Sequence, residues 1–284
     1  MLPEDILIHI IEHLPNDRNT LSKFFTTARV FTRPSQRRIY RTCVLQLEKR
    51  SHMERLTRRL IESPHLVLYI ETLVLSMDPF LYVGTEVPPV GRPLALVLSL
   101  LLDRLTALRS LSIDSGPYSD EPSLEWTYLP PELQDSFLRL FRLPSLVSIH
   151  IDGGILPVSV FARSSQLKML RLSNSSSNTR LESVLGVDPP VAAVFGLPPS
   201  DGSRDRDQVN VRLETYTIEA LALEDRHVEH LATVIDFSQL RALIWVDATE
   251  GCIRIAEKMV RLCSRTLERI RWVAPLSFTP YDGM

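Results

Sequence analysis

The chain predicts a two-part α plus α/β architecture. A small helical module covers residues 1–45, and an irregular solenoid follows over 46–284, with parallel strands on a concave face and helices on a convex one. Three observations carry this. The first forty-five residues hold short amphipathic helical patterns, a spaced-leucine pattern recurs along the rest, and helical candidates lie between its copies. At 284 residues with 44% hydrophobic content, the chain is long enough for a small module beside a larger core.

The first helix opens at Leu2-Pro3-Glu4-Asp5. Pro3 suits the first helical position, where its missing N–H would be unpaired anyway, and the two acids place negative charge in the first turn. At 100° per residue, Ile6, Leu7, Ile10, Ile11 and Leu14 fall within one arc, and Asp5, His9, Glu12 and His13 collect opposite. That apolar arc requires a partner. Pro15-Asn16-Asp17 ends the helix, and Leu21, Phe24, Phe25 and Ala28 form a second amphipathic run before Pro34 punctuates the chain. Two such short helices cannot bury both faces alone.

Beyond residue 45 the copies read Ile70-x-x-Leu73-x-Leu75, Leu108-x-x-Leu111-x-Ile113, Leu146-x-x-Ile149-x-Ile151, Leu167-x-x-Leu170-x-Leu172, a degenerate Ile218-x-x-Leu221-x-Leu223, Leu240-x-x-Leu243-x-Trp245 and Leu267-x-x-Ile270-x-Trp272. The alternating end of each copy is strand-like, which places strand centres near 73, 111, 149, 170, 221, 243 and 270. Helices are expected over 47–62, 93–104, 131–142, 226–235 and 252–264. The wide gap after 170 points to a hidden unit at 181–187. A two-layer α/β domain with an unrelated strand order is the alternative. Insertions after the strands, at Ser76–Arg92, Asp114–Pro130 and Ser173–Arg180, would gather along one edge of the concave sheet. The polar, turn-rich stretches 174–179 and 198–210 are expected to be mobile.

The loop from Asp114 to Pro130 has four acids, no base and three large aromatics. Tyr and Trp dominate contact energy at interfaces, and acids around them steer a basic partner. Tyr118, Asp120, Glu121, Trp126 and Tyr128 are therefore the candidate target-binding residues, with a basic peptide as ligand. Alternatively, Trp126 and Tyr128 fold back to cover a repeat edge.

Other chemistry finds little support. The formal net charge of −2 draws the chain toward neither nucleic acid nor an anionic membrane. The longest apolar run, Leu94–Leu102, is too short to span a bilayer. Cys43, Cys252 and Cys263 are scattered without a C-x-x-C and read as reduced, buried thiols, and the lack of an apolar leader after Met1 fits the cytoplasm or nucleus. No nucleotide, cofactor or hydrolase signature is present, so no cofactor and no catalytic residues are assigned. His9-Ile10-Ile11-Glu12-His13 matches the H-x-x-E-H spacing of helix-borne zinc sites, but a solvated helix face explains it more simply. No metal is assigned.

The opening Leu2-Pro3-Glu4-Asp5-Ile6, its spaced Ile and Leu residues, and Pro34-Ser35-Gln36-Arg37-Arg38-Ile39-Tyr40-Arg41 resemble an F-box, and the later copies look like leucine-rich repeats. The F-box likeness covers residues 2–45. Where that family commonly carries Cys-Arg-x-Trp, this chain reads Ala28-Arg29-Val30-Phe31, and the asparagine that often follows the strand in regular repeats is absent. The resemblance, particularly to the F-box proteins of mushroom-forming fungi, implies a substrate-recognition subunit of a cullin-type ubiquitin ligase that catalyses nothing itself. Leu2, Pro3, Ile6, Ile10, Leu14, Leu21, Phe24 and Phe31 would then meet a Skp-type adaptor, which links the chain to the cullin, or build the small core behind those contacts. The repeats would hold a protein target. Two other readings stand beside this one: an N-terminal hairpin packed on the domain behind it, and a leucine-rich interaction scaffold whose F-box has drifted and no longer binds.

Overall fold

The computed structural model describes residues 3–14, 18–27, 29–46, 50–76, 91–114, 124–126, 129–152, 154–155, 158–173, 211–219, 231–232, 234–246 and 253–273. They form a mixed structure of helices and parallel sheet. Its frame is a single eight-stranded sheet: β1 (Thr42–Gln46), β2 (Thr72–Ser76), β3 (Ser110–Asp114), β4 (Ser148–Asp152), β5 (Met169–Ser173), β6 (Thr215–Glu219), β7 (Ala242–Val246) and β8 (Arg269–Val273). All seven pairings are parallel and each strand lies beside its neighbours in the chain, so sheet order is sequence order. The alternative of an unrelated strand order does not hold.

Each strand is five residues long, and the second and fourth point into the core in all but the last. With the residue two places before the strand, they make three apolar columns across the sheet. The first runs Tyr40, Ile70, Leu108, Leu146, Leu167, Leu213, Leu240, Leu267; the second Cys43, Leu73, Leu111, Ile149, Leu170, Tyr216, Leu243, Ile270; the third Leu45, Leu75, Ile113, Ile151, Leu172, Ile218, Trp245, Trp272. Two of these copies differ from the sequence expectation. Tyr40-x-x-Cys43-x-Leu45 makes β1 out of residues read as the end of the N-terminal module, and the strand expected around 221 is β6, built on Leu213-x-x-Tyr216-x-Ile218. Because β5 bonds directly to β6, no strand intervenes between them; residues 181–187 lie outside the described residues.

A second periodic feature runs along the edge where the strands begin. The residue just before each strand offers its carbonyl to the next copy: Arg41 O accepts from Glu71 N, Glu71 O from Arg109 N and Ser110 N, and the relay continues through Val147, Lys168, Glu214 and Arg241 to Glu268 N and Arg269 N, at 2.8–3.0 Å. These positions alternate in charge except at Val147. Arg41 meets Glu71 at 3.2 Å, Lys168 meets Glu214 at 2.8 Å and Arg241 meets Glu268 at 3.9 Å. Pairs this exposed are screened by water and salt and contribute little, so the backbone relay, not the charges, fixes the register.

Helices α1 (Glu4–His13), α2 (Arg18–Thr27), α3 (Arg29–Arg41), α4 (Arg50–Glu62), α5 (Gly91–Leu102), α6 (Pro131–Phe141) and α7 (Ile253–Cys263) account for most of the rest. The last four match four of the helices expected between repeats; of the fifth, 226–235, the described part is helical at 231–232 and 234 and extended at 235–236, pairing with 211–212. From α4 onward the helices contribute Met53, Leu60, Leu98, Leu101, Leu133, Phe137, Ile255 and Met259 to one continuous core with the sheet columns. Neighbouring helices also touch through polar groups: the Ser99 and Ser136 hydroxyls lie 2.6 Å apart, and Arg139 meets Asp103 at 2.7 Å.

The first helices stand apart from this core. Leu7, Ile11 and Leu21 are buried but do not belong to it. Two contacts tie the first helices down. The Arg38 guanidinium donates to the Leu14 carbonyl and to the Ile11 carbonyl, which also accepts from Leu14 N, and Tyr40, two residues later, enters the main core. Pro34 does not end a helix as expected: α3 runs through it and buries its ring. A proline at 34 has no N–H to give the Val30 carbonyl, which lies in the first turn of the helix.

Candidate interaction surfaces

Among the described residues, the apolar arc of α1 divides in two. Leu7 and Ile11 are 3% and 1% exposed, whereas Ile6 and Ile10 remain 45% and 41% exposed. A 100° step explains it, because Ile6 and Ile10 flank the Leu7–Ile11 line by one residue and fall just beyond reach of α2 and α3. Pro3 is exposed at the start of the same helix, and Val30 of α3 is 41% exposed. These side chains have apolar surface and no polar group to satisfy, which suits a partner's apolar groove.

The remaining N-terminal candidates have other positions. Leu21 is buried, which assigns it to the interior and not to a contact surface; Leu14 is half-buried. Phe24 and Phe31 are half-buried and pack edge to face, with ring centroids 5.7 Å apart. Leu2 lies outside the described residues.

The loop site requires a correction. Trp126 is 2% exposed, lies in the main core and heads an aromatic series in which its ring sits 6.5 Å from Phe137, Phe137 6.3 Å from Phe141, and Phe141 6.1 Å from Phe161. Its carbonyl accepts from Gln134 Nε2 at 2.8 Å, which pins the end of the loop to α6. A Trp ring carries a large apolar area, and covering the core beneath α6 removes more of it from water than a loop tip would. Trp126 is thus not a target contact but the cover of a repeat, as the alternative reading had it. Tyr118, Asp120, Glu121 and Tyr128 lie outside the described residues, as do 174–179 and 198–210.

The sheet itself has a polar centre that the sequence reading missed. On the side opposite the apolar columns, register aligns Val44, Val74, Ser112, His150, Arg171, Thr217, Ile244 and Arg271. His150 bridges three strands, with Nδ1 3.2 Å from Ser112 Oγ on β3 and Nε2 3.1 Å from Ser173 Oγ on β5. A neutral imidazole has one N–H, so one serine accepts from the ring while the other donates to it. Asp114 ends β3 and Asp152 ends β4, the strand that carries His150, and Val74 and Ile244 flank the patch. With both ring nitrogens engaged, the cluster presents a fixed polar surface more readily than it moves a proton. The signal was available: Ser112, His150 and Arg171 occupy the same intervening position in three successive copies.

The H-x-x-E-H residues lie on the outside of α1. The His9 and His13 rings lie 4.3 Å apart, tilted at 57°, and His13 Nδ1 donates to the His9 carbonyl at 2.8 Å, so one ring nitrogen is committed to the helix. Among the described residues no group of three or more His, Cys, Asp or Glu is placed to hold a metal ion, and no helix is long and apolar enough to cross a membrane. Cys43 and Cys263 are buried thiols outside any disulfide, and burial pushes the Cys263 thiol above its ordinary range.

Compared with known proteins, the chain matches no family model and no curated sequence.

Proposed function

We propose that the chain is the substrate-recognition subunit of a cullin-type ubiquitin ligase, docking a Skp-type adaptor through α1–α3 as an F-box does and holding a protein target on a leucine-rich solenoid. The observation that carries this is the division of α1: Leu7 and Ile11 are buried outside the main core, while Ile6 and Ile10 stand exposed on the helix that Pro3 opens. Three apolar columns over eight sequentially paired strands support the solenoid reading, in which each unit contacts only its neighbours. With Trp126 removed from the target site, the open-face patch around Ser112, His150 and Arg171 takes its place as the target surface. Catalysis belongs to the other subunits; the receptor contributes effective concentration, holding a target near the transferring enzyme.

Co-purification with a Skp-type adaptor tests the proposal. The Ile6→Asp, Ile10→Asp double variant puts charge on the exposed pair and should abolish a one-to-one complex while leaving thermal unfolding unchanged. Failure of the wild type to bind any Skp-type adaptor overturns it.

One observation favours the second reading, an interaction scaffold with a drifted F-box. Phe31 stands where the family has its Trp, and it packs against Phe24 instead of projecting. Phe31→Trp separates the two: a gain in adaptor affinity supports a weakened F-box, and no binding by either form supports the scaffold.

A further inference from the structure

We propose that the exposed side of α3 is a docking surface for an acidic helix whose carboxylates recur at every fourth residue. The exposed residues of α3 are Arg29, Val30, Arg33, Arg37 and Arg41. Four residues separate each arginine from the next, so they form one row that climbs the helix in steps of about 6 Å and spans about 18 Å. The other side of α3 is occupied, with Pro34, Ser35 and Tyr40 buried and Arg38 holding the end of α1.

Two properties of the row point to a partner. Like charges four residues apart on a helix repel, so the row weakens α3 on its own, and an opposing row of carboxylates turns that repulsion into attraction. Contacts within the protein also leave binding capacity over. Arg37 and Arg41 share the Glu71 carboxylate, at 3.6 and 3.2 Å, yet a guanidinium has five N–H groups and a carboxylate about four lone-pair sites, so Glu71 cannot occupy both. Arg33 is engaged within the protein and still exposed.

The kind of anion follows from the surroundings. Between Arg29 and Glu62, ten Lys or Arg stand against three acids, a local charge of +7 in a chain of net charge −2, so the rest of the chain carries −9. A long polyanion or a membrane surface would reach past the row into that negative field, whereas a segment about as long as the row stays over the arginines. Val30 favours a protein over a phosphate chain: at 41% exposure, three residues from Arg33, it offers an apolar contact that a side chain can take and a phosphate cannot. A helix fits the spacing, since carboxylates at every fourth residue recur at the same ~6 Å. Both rows also tilt alike from their axes, which is the geometry of helices crossing at about −50°. Guanidinium and carboxylate then pair in register along the row. The inference does not rest on the ligase reading, which is tested at Ile6 and Ile10 of α1 and can fail without it.

The test uses the full chain and fluorescein-labelled alanine-based peptides, read by polarisation. One has four Glu at every fourth position, a second has the same composition with the Glu spread around the helix, and a third has a central proline that bars the helix. The first should bind about tenfold more tightly than the other two, and its affinity should fall as salt is raised. On the protein side, Arg33→Gln with Arg37→Gln should weaken that binding about tenfold, and Arg55→Gln with Arg58→Gln, at exposed positions of α4, should leave it nearly unchanged. Glu71→Gln removes the internal competitor and should strengthen binding about threefold. No binding of the first peptide overturns the site, and equal binding of the second overturns the row match. Equal binding of the proline peptide overturns the helix, and tighter binding of an oligonucleotide of the same charge overturns the partner class. These comparisons are made on the wild-type chain, so no variant has to fold for the inference to fail.

Discussion

The two ends of the sheet carry the same pattern with opposite outcomes. Tyr40, Cys43 and Leu45 of the first copy are buried at 8%, 9% and 0% exposure; Ile270 and Trp272 of the last, in the same columns, are exposed at 55% and 41%. Their own hydrophobicity does not explain this, since Ile and Trp are at least as apolar as Cys. What differs is the neighbour. β1 is followed by α4 and lies beside β2, whereas Trp272 has the Trp245 ring stacked on one side at 5.6 Å and, among the described residues, no further strand. In a sheet whose order follows the chain, burial of the same pattern depends on its position in the sheet.

The largest expected effect breaks that comparison most directly. Leu45→Ala, on a fully buried side chain in the third column, should lower unfolding free energy by about 3 kcal/mol, from lost transfer energy and the cavity left behind. Trp272→Ala, in the same column at the other end, removes a larger side chain yet should lose only about 1 kcal/mol, chiefly its stacking on Trp245. Urea denaturation of both variants decides it. Equal losses would mean that the end strand is covered as fully as the first.

How much of this was legible follows from the same logic. β2, β3, β4, β5, β7 and β8 could be placed because their column positions hold Leu, Ile or Trp, in a spacing that little else produces. β1 escaped because Tyr40 and Cys43 do not look like repeat leucines, although the geometry accepts them. β6 was set five residues late: Tyr216 hid the true frame, while Ile218 and Leu221 imitated one. At the site, hydrophobicity gives Ile6, Leu7, Ile10 and Ile11 equal standing, and only the placement of α2 and α3 decides which pair remains outside. Trp126 was misassigned because sequence gives an aromatic's appetite for burial but not where the chain turns back to satisfy it.

Tyr216 sharpens the comparison from inside the stack, where position overrides chemistry. It fills a leucine column at 0% exposure, its ring 5.9 Å from Phe237, and among the described residues its hydroxyl has no hydrogen-bond partner. Burial raises its phenol well above the ordinary value near 10. A raised acid favours folding below the unfolded pKa, and the folded state loses stability as pH climbs past it, because the unfolded chain ionises first. Tyr216→Phe should therefore add about 1 kcal/mol at neutral pH by removing an unsatisfied hydroxyl, and should lessen the loss of stability above pH ~10. Denaturant midpoints at neutral and alkaline pH read both effects; a destabilised Phe variant would reveal a partner for the hydroxyl.

The smallest effect lies at the strand-start edge, where an interior copy again differs from the last. Glu214 lies between cations on both neighbouring copies, taking a hydrogen bond from Lys168 at 2.8 Å and the field of Arg241, whereas Glu268, in the last described copy, meets Arg241 at the longer distance of 3.9 Å. The hydrogen bond from Lys168 is the main cause that holds the Glu214 carboxyl below its ordinary value, with the charges of Lys168 and Arg241 adding to it. The sign follows directly. A depressed carboxyl stabilises the fold above its unfolded pKa, and that stabilisation disappears as pH falls through the lowered folded value. Because the pair is exposed to water and salt, the contribution to stability is small, and the titration is the better measure. Carboxyl NMR should place the Glu214 midpoint below the ordinary glutamate range, Lys168→Ala should return most of the shift, and Arg241→Ala should return less. If Arg241→Ala has the larger effect, the charge row governs this edge more than the local hydrogen bond does.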